Sequence, residues 1–471
     1  VPIRLAKVFP QTRAFWVLLI YIMIVFVLGG SSRADSMSLI ILRPLSIIVC
    51  AIGLASIRLE HFRDNALIFS LFAALFFLTA LHLVPLPPEV WQHLPGRTLI
   101  ADIDHAVSLG GVWRPISMAP SATLNSLFAL FVPLGVLLLA IQLNREERFA
   151  LLPGLIGIGL LSAALGLLQT IGPEQGPFYF HRVTNYGWAV GLFANRNHHG
   201  LLLACLIPML AVYAKFGKFL GLSVLRTMVV AAVGAIFVVL ILLTGSRSGL
   251  VMGMIGLVSI PLLLASADGR GLPRTRRYAP LIFGILSLLG IMIVAVSQGR
   301  ADALLRVLAP DVFDDTRFQI WGPIADMASK YFPVGSGLGA FVESYKIDEA
   351  DALLTSTYLN HAHNDWLEFF LGGGALALAL ILAAFIAWLV PTIKCWCRSR
   401  PLTRGLAYQR LGSVLVLLVG LASIFDYPLR VPSVACAATL FVVWLRGDPI
   451  RRTSEAEESV GGVASSHRIS G

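Results

Sequence analysis

Long apolar runs follow one another along the chain, divided by short polar turns. A bilayer-crossing helix needs roughly 20 mostly apolar residues. Runs of about that length lie near residues 14–30, 39–57, 65–84, 122–143, 149–171, 198–214, 227–244, 248–266, 279–298, 364–390, 406–425 and 431–446. The predicted fold is all-α, a polytopic membrane protein of about twelve transmembrane helices. The run Phe15–Gly30 leads into charged Arg33 and Asp35, not into a small-residue cleavage site, so it reads as a retained first helix. Residues 85–121 are Pro-rich, contain Trp91 and Trp113, and suit an interfacial cap on the outer leaflet. Residues 299–363 are long and polar enough to form a helical loop domain outside the membrane. The expected organisation is helices one to nine over 1–298, the loop domain over 299–363, helices ten to twelve over 364–446, and a disordered tail over 447–471.

Composition agrees with this pattern. Of 471 residues, 57% are hydrophobic and 13% charged, whereas soluble domains carry about 45–50% and 25%. The net charge of +10 suggests a nucleic-acid partner until the charges are placed. Most of the 36 Lys and Arg fall on alternate short connections, among them Arg58, Arg63, Arg145, Arg148, Arg276, Arg277, Arg400 and Arg404. Lys and Arg accumulate on the cytoplasmic side, so both termini are expected there. The charge is a topology signal, and no nucleic-acid partner is expected. The five cysteines avoid the long polar loops, which excludes a disulfide framework. Cys395 and Cys397, one residue apart with no nearby His, read as a membrane-border loop.

Polar residues at membrane depth are costly and are functional candidates by default. Four clusters stand out, all on the expected outer side. The first opens the sixth run with Asn195, Arg196, Asn197, His198 and His199. The second is a tight turn, Thr244 to Gly249, containing Ser246, Arg247 and Ser248. The third is Arg317-Phe-Gln-Ile-Trp321 followed by Gly335, Gly337 and Gly339. The fourth is Asn360 to Glu368, with His361, His363 and Asn364. The three glycines have no strand–helix context and read as a Gly-rich turn, not a nucleotide fingerprint. His361, His363 and Glu368 are poorly spaced for zinc, and no Cys joins them, so no metal is expected. No Walker-type sequence is present, and no cofactor is expected. Several arginines beside an ionisable His suit a phosphorylated ligand. Arg binds phosphate with a planar fork, and His takes a proton from an attacking hydroxyl.

In this order and spacing the clusters resemble the O-antigen ligase / Wzy-type polymerase family of bacterial envelope glycosyltransferases. The matching pieces are Phe193-Ala-Asn-Arg-Asn-His-His, Ser246-Arg-Ser, Arg317-x-x-x-Trp321, Gly335-Ser-Gly-Leu-Gly339 and His363-Asn364. The resemblance implies a metal-independent glycosyltransferase at the periplasmic face of the inner membrane. Its donor would be a glycan on polyprenyl diphosphate, and its acceptor a sugar hydroxyl on a glycan or on a second lipid-linked unit. By position, His363 resembles the base that activates the acceptor, and Arg247 and Arg317 the arginines that hold the leaving diphosphate. Arg196, Asn195, Asn197, Ser246, Ser248, Trp321 and Asn364 then become substrate-binding candidates, with membrane lipids as surroundings. The family pattern has a Gly separated from His-Asn by nine residues, here Gly374, and three positions later favours Gly, Thr or Tyr where this chain has Ala377.

A secondary transporter or flippase for a lipid-linked or anionic substrate is the competing expectation. Coupled transporters place carboxylates near the midplane and show paired repeats with broken helices. The centres of these runs hold almost no carboxylates, and no repeat links the two halves.

Overall fold

A helix satisfies all its backbone groups within its own segment, which an apolar run in lipid requires. A computed structural model describes residues 11–217, 223–265, 316–354, 358–397 and 401–447. In chain order its helices are Arg13–Leu28 (α1), Leu39–Ser56 (α2), Leu59–Asp64 (α3), Ala66–Leu81 (α4), Pro88–Trp91 (α5), Thr98–Ala106 (α6), Pro120–Ala129 (α7), Phe131–Ala140 (α8), Arg145–Ile171 (α9) and Arg196–Phe216 (α10). Ser223–Leu243 (α11), Arg247–Leu263 (α12), Thr316–Tyr331 (α13), Phe341–Asp348 (α14), Asp365–Trp396 (α15), Arg404–Phe425 (α16) and Pro432–Arg446 (α17) follow. Among the described residues the only ladder pairs Pro85–Leu86 (β1) antiparallel with Arg114–Pro115 (β2). The all-α expectation holds.

The span count is coarser than expected. Seven helices in the described residues are long and apolar enough to cross a bilayer: α2, the continuous α7–α8 stretch, α9, α10, α11, α15 and α16. The apolar helices α1, α4, α12 and α17 have 15 to 17 residues. At 1.5 Å per residue they rise only about 23–26 Å, short of a hydrocarbon layer of about 30 Å. The run at 279–298, residues 299–315 and the tail after Gly447 lie outside the described residues.

One large apolar core joins α1, α2, α8–α12, α16 and α17. A second, smaller cluster joins α13 and α14 through Ile324, Met327, Tyr331, Phe341 and Tyr345, and reaches Leu371 of α15. Two close approaches position the site. The first is between α10 and α12, which lie parallel in register. A Cβ on Gly200 would come within 3.2 Å of the Gly249 Cα, and one on Gly256 within 2.9 Å of the Ala204 carbonyl. Small residues let helix backbones approach in this way, so the N-termini of α10 and α12 emerge side by side.

The second approach is between the Gly-rich turn and α15. Gly374 breaks α15 with φ 57° and ψ −138°. Into that break the 333–339 turn docks: Ser336 N donates to the Leu371 carbonyl (3.0 Å), Gly337 N to that of Gly372 (2.8 Å), and Ala375 N to that of Pro333 (2.9 Å). Gly335 has φ 87°, and a Cβ there would lie 2.3 Å from the Gly372 oxygen. The turn is backbone architecture, as expected.

Buried Arg97 ties the 85–121 segment to the same turn. Its guanidinium donates to the carbonyls of Pro95 (2.6 Å), Ile116 (2.5 Å) and Gly335 (2.8 Å) and lies over the Tyr331 ring. Burial among neutral partners pushes its pKa down to about 10, with Tyr331 acting slightly against that. Arg97→Ala leaves three carbonyls without their donor, and an unsatisfied buried acceptor costs about 1–3 kcal/mol. The expected result is a lower thermal midpoint for the solubilised protein, with Arg97→Lys recovering part of the loss. An unchanged midpoint would show that the two segments do not depend on this contact.

Candidate active site

Three of the polar clusters begin helices. Asn195 caps α10, its side chain accepting from Asn197 N (2.8 Å). Ser246 caps α12 through Gly249 N (2.9 Å), and Asn364 caps α15 through Leu367 N (3.0 Å). Asn and Ser are favoured caps because their side-chain oxygen satisfies an N–H with no partner in the helix. The caps place Arg196 and Arg247 as the first residues of α10 and α12. Two parallel helix N-termini, each carrying an arginine, favour an anion in front of them.

Between these ends and the start of α15 stands a side chain that the sequence reading passed over, Asp426. It follows α16 and is buried. Oδ2 accepts from Asn197 Nδ2 (2.6 Å) and Asn195 Nδ2 (3.3 Å), and Oδ1 accepts from Tyr427 N (3.0 Å). His363 Nδ1 lies 3.3 Å from Oδ1. A carboxylate only accepts, so this contact puts the His363 proton on Nδ1 and leaves the Nε2 lone pair free to act. His363 itself is held at φ 49°, an uncommon conformation for a residue other than glycine. Ser246 Oγ donates to Asn197 Oδ1 (2.8 Å) and lies 3.2 Å from Ser248 Oγ, which links the α12 cap to the same network.

Tyr427 gathers the histidines. Its ring lies 4.9 Å from that of His363, 4.3 Å from that of His361 and 5.3 Å from that of His198. His361 faces Glu368 instead of Asp426, with Nδ1 3.1 Å from Oε1. Arg430 bridges Glu368 (3.5 Å) and Asp365 (3.4 Å). Burial opposes the Arg430 charge, but Glu368 and Asp365 outweigh it and raise its pKa. Asp365 also accepts from Ser423 Oγ and Leu429 N. Asp426, Tyr427 and Arg430 come from the connection between α16 and α17. An Asp and an Arg inside so short a link between two apolar runs was the available signal.

The arginines differ in their surroundings. Arg196 lies over the Trp188 ring at 4.4 Å, and its backbone N–H donates to Asn185 Oδ1. Half-buried Arg247 has no hydrogen-bond or ion-pair partner among the described residues. Arg317 falls in the first turn of α13, and its side chain lies outside what is described. Trp321, one turn on, has its ring 6.5 Å from Phe425, just ahead of Asp426. His199 is fully buried, with Nδ1 2.8 Å from the Ala189 carbonyl. The structure thus gathers Asn195, Asn197, Ser246, Ser248, His363 and Asn364 around one carboxylate and two helix ends.

Residues 230–382 match the family model described as O-antigen ligase (Wzy_C). That stretch of the chain is similar to the O-antigen ligase family. No curated protein matches the chain. The ligase-family match covers Arg247, Arg317, the Gly-rich turn and His363 but stops before Asp426, and it begins after Asn195 and Asn197. The match supports a ligase- or polymerase-type glycosyltransferase in general, and the seven long apolar helices agree with a multi-pass membrane protein.

Proposed function

We propose that this chain transfers a glycan from polyprenyl diphosphate to a sugar hydroxyl at the periplasmic face of the bacterial inner membrane, with both termini cytoplasmic. The observation that carries the reading is the pairing of His363 with Asp426 beside two arginine-bearing helix N-termini. In the proposed step His363 Nε2 removes the acceptor hydroxyl proton as the oxygen attacks the anomeric carbon. The bond from that carbon to the diphosphate oxygen breaks, and its electron pair leaves with polyprenyl diphosphate. Asp426 stabilises the imidazolium that forms. Arg247, Arg317, Arg196 and the α10 and α12 ends offset the charge on the departing diphosphate. Diphosphate is a good leaving group, so orientation and charge neutralisation suffice and no metal is invoked.

The test is a reconstituted assay containing the full chain, a polyprenyl-diphosphate glycan and a glycan acceptor. The expected products are an extended acceptor and free polyprenyl diphosphate, in unchanged yield with EDTA. Movement of the donor across the vesicle without its consumption would establish a flippase instead. Loss with EDTA and recovery with a divalent ion would overturn the metal-free step.

A further inference from the structure

Trp188 lies in the connection from α9 to α10, and no step of the proposed chemistry uses it. The backbone around it is held on both sides. Gln169 of α9 accepts from Val190 N (2.9 Å) and Gly191 N (2.7 Å) through Oε1. Its Nε2 donates to the carbonyls of Phe178 (2.9 Å) and Gly191 (3.0 Å). Tyr179 Oη accepts from Gly187 N (3.0 Å) and lies 3.3 Å from the Trp188 carbonyl. These contacts, spread over a loop with no regular structure of its own, fix where the indole starts.

The half-buried Trp188 ring touches both helix ends of the site. The Arg196 guanidinium, from the first residue of α10, lies over it at 4.4 Å from the centroid. The ring also packs on Gly245, the residue before the α12 cap, where an added Cβ would overlap the Trp188 Cζ3, Cε3 and Cη2 atoms. Gly245 has φ 60°, so both the turn and the close approach of the ring require glycine there. The next turn residue but one is Arg247, which opens α12. A cation at a helix N-terminus is disfavoured by the positive end of the helix. Arg196 therefore has an electrostatic reason to swing away before any anion arrives, and a long side chain has the freedom to do so. The negative face of an aromatic ring opposes that by attracting the guanidinium.

We propose that Trp188 is a positioning residue, its indole holding the Arg196 guanidinium at a set distance from the α12 turn so that Arg196 and Arg247 address one diphosphate. The identity of that anion rests on the transferase reading above. Trp188 acts through Arg196 and does not itself bind the substrate. Charge held in place beforehand needs no reorganisation when the diphosphate leaves. Without the ring, Arg196 has to be ordered in every turnover.

The experiment measures inorganic diphosphate binding to the full chain in phosphatidylcholine nanodiscs by calorimetry, beside single-turnover transfer with saturating donor. Trp188→Leu, apolar but without a π face, should weaken binding and slow transfer by roughly three- to thirtyfold. Trp188→Phe should recover most of both, because the ring suffices. In an Arg196→Gln background Trp188→Leu should add less than about twofold, since a residue acting through Arg196 has nothing left to hold. The acceptor KM should stay near wild type. A merely structural role would instead lower the thermal midpoint and penalise both backgrounds alike. Trp188→Met, which fills the space without a ring, carries the same expectations if Trp188→Leu does not accumulate. Diphosphate binding that is absent from the unaltered chain, unchanged in Trp188→Leu, or reduced as much again in the double variant would overturn the proposal. Binding is read without turnover, so failure of the transferase reading shows separately, as an unaltered chain that forms no product while the binding pattern holds.

Discussion

His363→Ala is expected to lower turnover by about a hundred- to ten-thousandfold, the usual contribution of a positioned general base. Donor binding and protein level should change little, because the His363 ring reaches only Asp426 and Tyr427 among the described contacts. Asp426→Asn tests the same unit from the other side. An amide donor facing Nδ1 favours the wrong tautomer, so kcat should fall by roughly two orders of magnitude while KM for the donor holds. His361→Ala should be much milder, since His361 faces Glu368 instead of joining Asp426. The check is kcat and KM for each variant in the reconstituted assay. A dead His361 variant beside an active His363 variant would move the base by two residues. Two active variants would end the His-based mechanism.

Arg247→Ala is expected to cost about a hundred- to a thousandfold in kcat, the scale set by removing one donor from a charge-stabilising site. Arg247→Lys should still be impaired, because an ammonium supplies charge without the planar fork. The prediction rests on placement. Arg247 is the first residue of α12 beside a capped N-terminus, and no described side chain competes for its guanidinium. A residue that only snorkels to lipid headgroups would tolerate Lys at full rate. Single-turnover rates with saturating donor separate these outcomes, and wild-type rates in the Lys variant would reduce Arg247 to an interfacial charge.

Much of the architecture was legible because lipid makes helix formation a local matter. Each apolar run must satisfy its own backbone, so its position along the chain nearly defines the element. The Gly-rich turn was equally legible, since Gly335, Gly337 and Gly339 sit in backbone conformations that disfavour side chains. Run length was less informative. Caps and flanking turns lengthen the apolar stretches around α1, α4, α12 and α17 beyond their helices.

The motif residues were visible in sequence, but their first duties were not. Asn195, Ser246 and Asn364 read as ligand contacts, and the structure shows each capping a helix that points into the site. Asp426 stood apart from every motif, 63 positions from His363, and no local spacing couples them. The pairing exists because Gly200 and Gly249 let α10 and α12 close together, and because the α16–α17 connection returns to the start of α15. The sequence by itself determined the helices and the charges at their ends. Only tertiary packing decided which ends meet, because a carboxylate orients an imidazole only at hydrogen-bond distance, and helix crossings set that distance.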